Sequence, residues 1–380
     1  MVHGPRSLEG VVTSALDALP RTYRGRRVLV TGHTGFKGAW STVWLASLGA
    51  RVTGFALSPI SPSFFQDGRV AEVCDNLTGD VRDQDAVRAA VDRAEPEVVL
   101  HLAAQSIVRV GHADPAGTFA TNVAGTVNLL EAVRRRGRPC AIVVVTSDKC
   151  YRPSGHKHRE DDPLGGEDPY SASKAACEMV VASCRTSFFP PERLGSHGVA
   201  IATARAGNVI GGGDWAPDRI VPDIVRGLMA AAPVPVRNPD HVRPWQHVLE
   251  PLSGYLMLAA GLRGEIAGIR PQELCDAWNF APADGTDRPV RELVGSFLAR
   301  WGSGSWIGAT DGASPVEVPY LGLDARKARQ RLGWDARWDF ARAIERTVDW
   351  YRAYAGGVRG PGLRELTLGQ IREYVGVAVT

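Results

Sequence analysis

The stretch Val28-Leu-Val-Thr31, continued by Gly32-His-Thr-Gly35-Phe-Lys-Gly38, decides the fold of this chain. Its first four residues are mostly β-branched and predict a buried strand, and a helix is predicted from Phe36 to Leu48. The glycines between them permit a tight turn that brings the backbone close to a pyrophosphate, which the helix N-terminus stabilises. A glycine triplet alone is weak support, and this one has the spacing G-x-x-G-x-x-G. Because strand, loop and helix follow in the required order, the stretch predicts a dinucleotide-binding loop.

Short apolar strands alternate with amphipathic helices through the first half of the chain. The strands are continuous apolar runs, as expected where both faces of a parallel sheet are covered. A strand–helix–strand succession implies right-handed crossovers. We therefore predict an α/β fold, a Rossmann-like doubly wound parallel sheet with a smaller C-terminal α/β substrate-binding domain. Further strands are predicted at Arg51–Phe55, Glu97–Leu102, Ala141–Thr146 and Val199–Ala204, and helices at 118–135 and from Tyr170 to Phe188.

The composition of the sequence changes beyond Gly207, where glycine and proline become frequent. Such punctuation predicts a second, smaller unit in which helices alternate with loops. We interpret residues 1–24 as an N-terminal extension and 25–206 as the NAD(P)-binding Rossmann domain. Residues 207–380 are assigned mainly to substrate binding, with some segments returning to the first domain. Two late helices are predicted, at 324–332 and 340–354.

Composition excludes several classes of function. A hydrophobic content of 44% and a charged content of 22% in 380 residues are typical of a soluble globular enzyme. The net charge of +3 argues against a nucleic-acid or membrane partner. No apolar stretch approaches the ~18 residues of a membrane span, and the first 24 residues lack the apolar block of a signal peptide.

Cysteine and histidine spacing gives no sign of a metal centre. The six cysteines form no C-x-x-C pair and are expected to be reduced thiols, which predicts a cytoplasmic location. His112, His156 and His158 lack the spacing of metal ligands, and we expect them at solvated loop positions. No metal is predicted.

Two short motifs carry candidate catalytic groups. Tyr170 and Lys174 are four residues apart in Pro169-Tyr-Ser-Ala-Ser-Lys174, so on a helix they share a face. The lysine charge would favour the phenolate and make Tyr170 a general base. The pair alone is equally compatible with a half-buried tyrosine and a solvated lysine. Ser147-Asp148-Lys149 ends an apolar strand, and a surface ion pair of its last two residues is the structural alternative.

Later strand ends predict the remaining contacts with a dinucleotide. The second strand ends in Ala56-Leu57-Ser58, without the acid that would bind a free ribose, so NAD and NADP both remain open. Lys37 could face a ribose phosphate or be a solvated loop residue. Gly79-Asp80-Val81 resembles the turn that meets an adenine ring. The predicted cofactor contacts are Gly32, His33, Thr34, Gly35, Phe36, Lys37, Gly38, Ser58, Asp80, Val81, Leu102, Ala103, Ala104, Tyr170 and Lys174.

Several longer motifs resemble one enzyme family. The chain is similar to the extended short-chain dehydrogenases/reductases and, within them, to the CDP-glucose 4,6-dehydratases, over residues 25 to 375. The Tyr/Lys pair and the glycine loop are general to the superfamily, whereas three other motifs are narrower. The motifs are Gly32–Gly38, His101–Gln105, Thr146-Ser-Asp-Lys-Cys-Tyr151, Pro163–Gly166, Asp168–Lys174, Arg205–Trp215 with its Gly-Gly-Gly-Asp-Trp, Arg243-Pro-Trp-Gln-His-Val248, Trp278–Phe280 and Leu332-Gly-Trp334.

The resemblance implies an NAD-dependent hydro-lyase that converts CDP-D-glucose into CDP-4-dehydro-6-deoxy-D-glucose. Oxidation at carbon 4 acidifies the carbon 5 proton, water leaves across carbons 5 and 6, and the hydride returns to carbon 6. The expected catalytic groups are Tyr170 with Lys174 at carbon 4, Ser147 holding that hydroxyl, Asp148 as the acid for the leaving hydroxyl, and Lys149. Lys149 stands where related dehydratases have glutamate, as a neutral base for carbon 5 or a charged group beside the enolate oxygen.

Partners also follow from the resemblance. It implies a nucleotide-sugar substrate and an intracellular homodimer or homotetramer, and cytidine is implied by the resemblance alone. An epimerase, or a dehydratase of another nucleotide hexose, is the alternative, and a cofactor-sensing regulator without turnover is a third. Trp215 and Trp245 fit either the pocket or the core. The predicted substrate contacts are Gln105, Asn208, Arg219, Arg243 and His247, whose arginines suit phosphate unless they form structural salt bridges.

Overall fold

The computed structural model describes residues 16–282, 285, 287–309 and 320–376. Residues 1–15 of the predicted N-terminal extension therefore lie outside the described part of the chain. The described remainder of that extension contains a short helix, Leu19–Tyr23, whose Tyr23 hydroxyl donates to the carbonyl of Leu256 at 2.8 Å.

A seven-stranded parallel sheet forms the centre of the molecule, which confirms the predicted Rossmann-like doubly wound fold. In chain numbering, its strands lie in the order β12-β7-β5-β4-β1-β2-β3, so the order reverses between β4 and β1. Ligands of such sheets bind beyond the carboxyl ends of the strands at this reversal. The strands are β1 Arg27–Thr31, β2 Arg51–Ala56, β3 Asp75–Thr78, β4 Val98–His101, β5 Cys140–Val145, β7 Val199–Arg205 and β12 Ala277–Asn279.

Helices cover both faces of the sheet. One face carries α4, α7 and α8, whose apolar side chains pack on Leu29, Val99 and Ile142. The other face carries α2 and α11, and every residue of α11 is buried. The helices are α1 Leu19–Tyr23, α2 Phe36–Ser47, α3 Phe64–Asp67, α4 Gln84–Ala94, α5 Val108–Ala113, α6 Pro115–Phe119, α7 Gly125–Arg136, α8 Pro169–Ser187, α9 Leu194–His197, α10 Ile220–Met229, α11 Leu249–Leu262, α12 Pro271–Leu274, α13 Val290–Trp301, α14 Phe340–Ala355 and α15 Pro361–Val375.

Segments after residue 207 build small two-stranded sheets and also return to the main sheet. The returning segment is β12, which pairs in parallel with β7 at its outer edge. The predicted helix at 324–332 is instead mostly one turn of π-helix, Ala328–Leu332. The short strands are β6 Lys157–His158, β8 Val209–Ile210, β9 Val234–Val236, β10 Val242–Pro244, β11 Gln246–His247, β13 Asp287–Pro289, β14 Trp306–Gly308 and β15 Gly322–Leu323.

Within the ranges given above, no helix is long and apolar enough to cross a bilayer.

Candidate active site

The loop between β1 and α2 has the close packing that its glycines predict. Gly32 has φ of +75°, and a Cβ there would lie 2.6 Å from the backbone nitrogen of Ala103. A Cβ on Gly38 would lie 2.0 Å from the Gly32 carbonyl oxygen. The helix begins after Gly35, whose extended backbone caps it without a side chain. No side chain caps the backbone amides at this helix end, so they are free to donate hydrogen bonds to an anion.

Side chains of the same loop hold its outer edge. The His33 imidazole is buried, with Nε2 2.6 Å from Asn76 Oδ1 of β3, and burial lowers its pKa. Thr34 Oγ1 donates to the carbonyl of Leu57 at 3.0 Å, which joins the loop to the end of β2. Ser58 follows there and is exposed. Only the backbone of His33 can thus serve the predicted cofactor contact, because its imidazole is engaged within the protein.

Lys37 points toward the middle of the molecule rather than toward the end of β2. Its Nζ lies 5.8 Å from the centroid of the Tyr255 ring on α11. Burial, followed by the charge of Arg219, lowers the pKa of Lys37 to about 7, and the charges of Asp148 and Lys174 also act on it. The Lys37 side chain therefore lies with the candidate catalytic groups, whereas the sequence had left open a contact with a ribose phosphate or a solvated loop position.

The predicted cofactor contacts after β3 and β4 are held in place by hydrogen bonds and packing. Leu102 N–H donates to the carbonyl of Thr31 at 3.1 Å, and Ala103 N–H donates to Thr31 Oγ1 at 3.3 Å. These bonds hold Leu102 and Ala103 beside Gly32, with Ala104 half-buried after them. Val81 is buried against Gly125, whereas Asp80 accepts from Arg82 Nε at 2.9 Å, and that bond lowers the Asp80 pKa.

Tyr170 and Lys174 lie one turn apart in α8, and both are buried. Lys174 Nζ donates to the carbonyl of Val145 at the end of β5, at 3.2 Å. Burial raises the pKa of Tyr170 to about 12, although a hydrogen bond with Ser147 lowers it. Desolvation of the phenol is the largest effect on this pKa, and the positive charge that lowers it is that of Arg219.

Ser147 and Asp148 form a compact acid–hydroxyl pair directly after β5. Ser147 Oγ donates to Asp148 Oδ1 at 2.8 Å and accepts from the Lys149 amide at 3.2 Å. A Cβ on Gly207 would lie 1.8 Å from Asp148 Oδ2, so only glycine leaves room for this carboxylate. Asn208 adopts a left-handed backbone with φ of +54°, and its Nδ2 lies 3.5 Å from Asp148 Oδ2.

Lys149 is half-buried in the same turn. Its ammonium makes no hydrogen bond or ion pair with any residue that the structure describes. The structural alternative of an Asp148–Lys149 surface ion pair is therefore wrong for this structure, because Asp148 is buried and pairs with Ser147.

Three of the predicted substrate contacts, the two arginines and Gln105, already make hydrogen bonds within the protein. Arg219 Nη1 binds Asp214 Oδ2 at 2.9 Å and Nη2 binds Ser106 Oγ at 3.1 Å, and the charge of Tyr170 acts on its pKa. Arg243 is buried on β10, with Nη1 donating to the carbonyl of Val242. Gln105 uses both ends of its amide inside the protein, donating to Thr118 and accepting from the amide of Ile107.

His247 does not reach a binding surface. It is fully buried between Trp40 and Trp338, with ring-centroid distances of 5.7 and 4.8 Å. Burial lowers its pKa to about 3, so it is neutral and cannot pair with a phosphate. The predicted substrate contact is corrected accordingly. Trp215 and Trp245 also have core roles, the first against Tyr351 and Tyr354 and the second donating to the carbonyl of Arg288 at 3.1 Å.

Two groups that support the site were missed in the sequence. Glu178 follows Lys174 by one turn and is buried; Arg205 donates to its two oxygens at 2.9 Å each. Asn122 Nδ2 donates to Ser173 Oγ at 2.8 Å from a π-helical turn between α6 and α7. A charged residue at i+4 from Lys174 was the available signal for Glu178, and an isolated asparagine in a helical run was the signal for Asn122.

Known proteins resemble this chain along nearly all of its length. Residues 28–267 match the model of the NAD dependent epimerase/dehydratase family. A CDP-glucose 4,6-dehydratase of Salmonella typhimurium is 44% identical over 93% of this chain and 97% of the relative.

Solved structures resemble the fold as well. An epimerase from Methanothermobacter thermautotrophicus superposes with a TM-score of 0.74 at 22% identity, covering 91% of this chain and 97% of that one. The dTDP-glucose 4,6-dehydratase DesIV of Streptomyces venezuelae, with NAD and TYD bound, gives 0.69 at 25% identity over 87% and 98% of the two chains.

Proposed function

This chain belongs to the NAD dependent epimerase/dehydratase family, and on that premise we propose that it is a sugar-nucleotide 4,6-dehydratase. Its proposed reaction converts CDP-D-glucose into CDP-4-dehydro-6-deoxy-D-glucose and water. The observation that carries the proposal is the Ser147–Asp148 pair, set beside Tyr170 at the carboxyl end of β5. A simple oxidoreductase or epimerase needs the tyrosine but not a buried acid next to it.

The residues around the glycine loop fit a dinucleotide. Side chains at Gly32 and Gly38 would collide with the backbone of Ala103 and of Gly32, so only glycine allows this tight turn, and the N-terminus of α2 that follows has no side-chain cap. When bound, NAD would accept a hydride from carbon 4 of the sugar and return it to carbon 6. We propose NAD rather than NADP, since Lys37 is turned away from the end of β2, and saturation curves for both cofactors test the choice.

Tyr170 and Asp148 are proposed to transfer the protons at carbons 4 and 6. Tyr170 accepts the proton of the carbon 4 hydroxyl, with Ser147 holding that hydroxyl and the charge of Arg219 opposing the burial of the phenolate. Lys174, one turn along α8, is proposed to contact the ribose of the cofactor. Asp148 delivers a proton to the hydroxyl leaving carbon 6. Its carboxyl group is buried, and Oδ1 accepts from Ser147 Oγ at 2.8 Å, so it lies directly beside the groups assigned to carbon 4.

Lys149 is assigned to carbon 5. A neutral amine there would take the carbon 5 proton, whereas a charged one would stabilise the enolate oxygen. Lys149→Arg separates the two roles, because arginine keeps the charge and cannot act as a base. Exchange of the carbon 5 hydrogen with solvent should stop in this variant if Lys149 is the base and continue if it is an electrostatic stabiliser.

Substrate contacts are proposed for Asn208, Arg219 and Arg243, which suit a sugar and its diphosphate. Residues 25–206 are proposed as the cofactor domain and 207–380 mainly as the substrate domain, and a cytoplasmic location stays a prediction. A panel of CDP-, dTDP-, UDP- and GDP-glucose, analysed by mass spectrometry, tests the base. We expect the fastest turnover with CDP-glucose, and a preference for another nucleotide would replace cytidine.

The decisive experiment follows both mass and label. The enzyme is incubated with NAD and CDP-glucose deuterated at carbon 4, and we expect the loss of one water with deuterium in the new methyl group. Asp148→Asn keeps the size of the side chain but removes the acid, so kcat should fall at least about a hundredfold. An unchanged mass with an inverted stereocentre, unaffected by Asp148→Asn, would replace the dehydratase with an epimerase.

We further propose a homodimer or homotetramer that pairs through the helices beside the cofactor domain. Neighbouring helices on that side expose large apolar residues: Val110 on α5, Phe119 on α6, Val127 on α7, and Met179 on α8 with Phe188 just after it. Exposed apolar patches of this kind are typical of protein–protein contacts.

A further inference from the structure

Three side chains outside the candidate active site converge in the loop between β5 and α8. His156 Nε2 lies 3.1 Å, and His158 Nδ1 3.2 Å, from the same oxygen of Asp162, Oδ2. All three donor atoms lie within 4.8 Å of one another. The sequence predicted solvated positions here, but His158 is buried with a side-chain exposure of 3%, whereas His156 is 64% exposed.

Local structure explains why the two histidines face the same way. His156 lies in the bend just before β6, with its ring centroid 5.2 Å from that of His158, and β6, which holds His158, pairs in parallel with β15. The carbonyl of His158 accepts from the amide of Asp324 at 2.8 Å and from Asn279 Nδ2 at 2.9 Å. The buried ring also stacks on Tyr151, with centroids 4.6 Å apart. One imidazole is therefore fixed by its surroundings before any ion binds.

The carboxylate is held in place as well. Asp162 N–H donates to the carbonyl of Arg159, and the Arg159 amide donates back to Asp162 Oδ2, both at 3.1 Å. Within the described part of the chain, the recorded partners of this carboxylate are that amide and the two imidazoles. Two imidazoles and a carboxylate suit Zn²⁺ and similar ions, with bonds of about 2.0–2.2 Å. Donor atoms separated by 3.1 and 3.2 Å span tetrahedral angles at such bond lengths.

We propose that His156, His158 and Asp162 form a binding site for a divalent transition metal ion of the zinc class. Ser154 Oγ, 3.4 Å from His156 Nε2, or a water molecule would complete four ligands. The role of the metal is structural, because it would link β6 to the turn at Asp162 and so stabilise the loop that packs on Tyr151 through His158.

Binding is measured on the full chain without a histidine tag, after treatment with a chelator. Zn²⁺ is titrated in competition with a chromophoric chelator, and we expect saturable binding of one equivalent per chain. His156→Ala and Asp162→Asn should each weaken it at least about tenfold, since even outer-shell changes at metal sites cost that much. His112→Ala is the matched control, because His112 is exposed on α5 and should leave binding unchanged.

Co²⁺ gives a second measurement. A tetrahedral Co²⁺ complex should show visible absorption bands that His156→Ala removes, and this exposed side chain can be replaced without disturbing the core. Failure of the wild-type chain to bind one equivalent of Zn²⁺ would overturn the proposal. So would binding that neither His156→Ala nor Asp162→Asn changes. Both results are independent of the dehydratase proposal, because no substrate or cofactor is present.

Discussion

Gly207 shows how a single missing methyl group can position a catalytic acid. Its carbonyl accepts from Gln246 Nε2 at 2.9 Å, which fixes the backbone, and a Cβ would lie 1.8 Å from Asp148 Oδ2. Gly207→Ala should therefore push the carboxylate out of place and lower kcat about a hundredfold, as expected for a misplacement of about 1 Å. Steady-state kinetics with CDP-glucose measures the effect.

The control for this variant is Gly195→Ala. No atom of the described residues lies within 4 Å of a Cβ at Gly195 in α9, so this change should leave kcat unaltered. A Gly207→Ala enzyme with the kcat of the wild type would show that the position of Asp148 does not limit the reaction. Binding of NAD, measured separately, should be unchanged in both variants because neither substitution changes the loop after β1.

At the level of single residues, the sequence identified motifs better than it placed side chains. The helix spacing of Tyr170 and Lys174 was enough to put them on one face. It could not show that Lys174 donates to the Val145 carbonyl, or that burial would dominate the pKa of Tyr170. His247 was misassigned for the same reason, since the aromatic side chains that enclose it are distant in sequence.

Glu250 on α11 holds two later parts of the chain against this buried helix. Its carboxylate accepts from the Trp338 amide at 2.7 Å and from the Tyr374 hydroxyl at 2.8 Å, and burial raises its pKa to about 7. The folded-state pKa of Glu250 is above its unfolded value of 4.5. The contribution of this carboxyl group to the free energy of unfolding is therefore fully present below about pH 4.5 and is lost as the pH rises through about 7. The size of that loss is roughly 3 kcal/mol.

Glu250→Gln should remove this pH dependence. The Tyr374 hydroxyl can rotate to accept from the new amide and donate to Ser253 Oγ, 3.0 Å away. Urea unfolding from pH 5 to 8 should show the wild type losing stability relative to the variant. Glu273→Gln is the control, as this exposed carboxylate pairs only with Arg270 among the described contacts. Parallel curves for wild type and Glu250→Gln would contradict the assignment.

At the level of elements, hydrophobic pattern determined what could be predicted. Strands β1, β4, β5 and β7 each contain an apolar run, and each lies within about a residue or two of its predicted bounds. Strand β3, Asp75-Asn-Leu-Thr78, has no such run and was missed, although it supplies Asn76 to His33. The helix predicted at 118–135 contains a π-helical turn, Ala120–Ala124, that periodicity does not reveal.

At the level of the whole molecule, contacts between residues that are far apart in the sequence could not be predicted in detail. The return of a later segment to the sheet was expected, but not that it would be β12 beside β7. Glu250 joins residues 88 and 124 positions away. Such contacts depend on how elements pack together, whereas sequence motifs report local backbone and chemistry.

The proposed oligomer depends on the exposed apolar residues of α5 to α8. Met179 on α8 is 57% exposed, on the side where neighbouring helices expose Val127 and Phe119. Met179→Glu would place a charge in the proposed contact, and charges that lose water without a partner weaken association strongly. Light scattering after size exclusion should therefore find a homodimer or homotetramer for the wild type and a monomer for Met179→Glu.

Met229 provides the matched control for this substitution. It is 49% exposed on α10, in the part of the chain assigned to substrate binding, so Met229→Glu adds the same charge elsewhere. Its mass in solution should equal that of the wild type. A monomeric wild type, or a Met179→Glu variant that keeps the wild-type mass, would mean that the apolar residues on α5 to α8 do not form the contact. Equal disruption by both variants would point to net charge rather than to a specific surface.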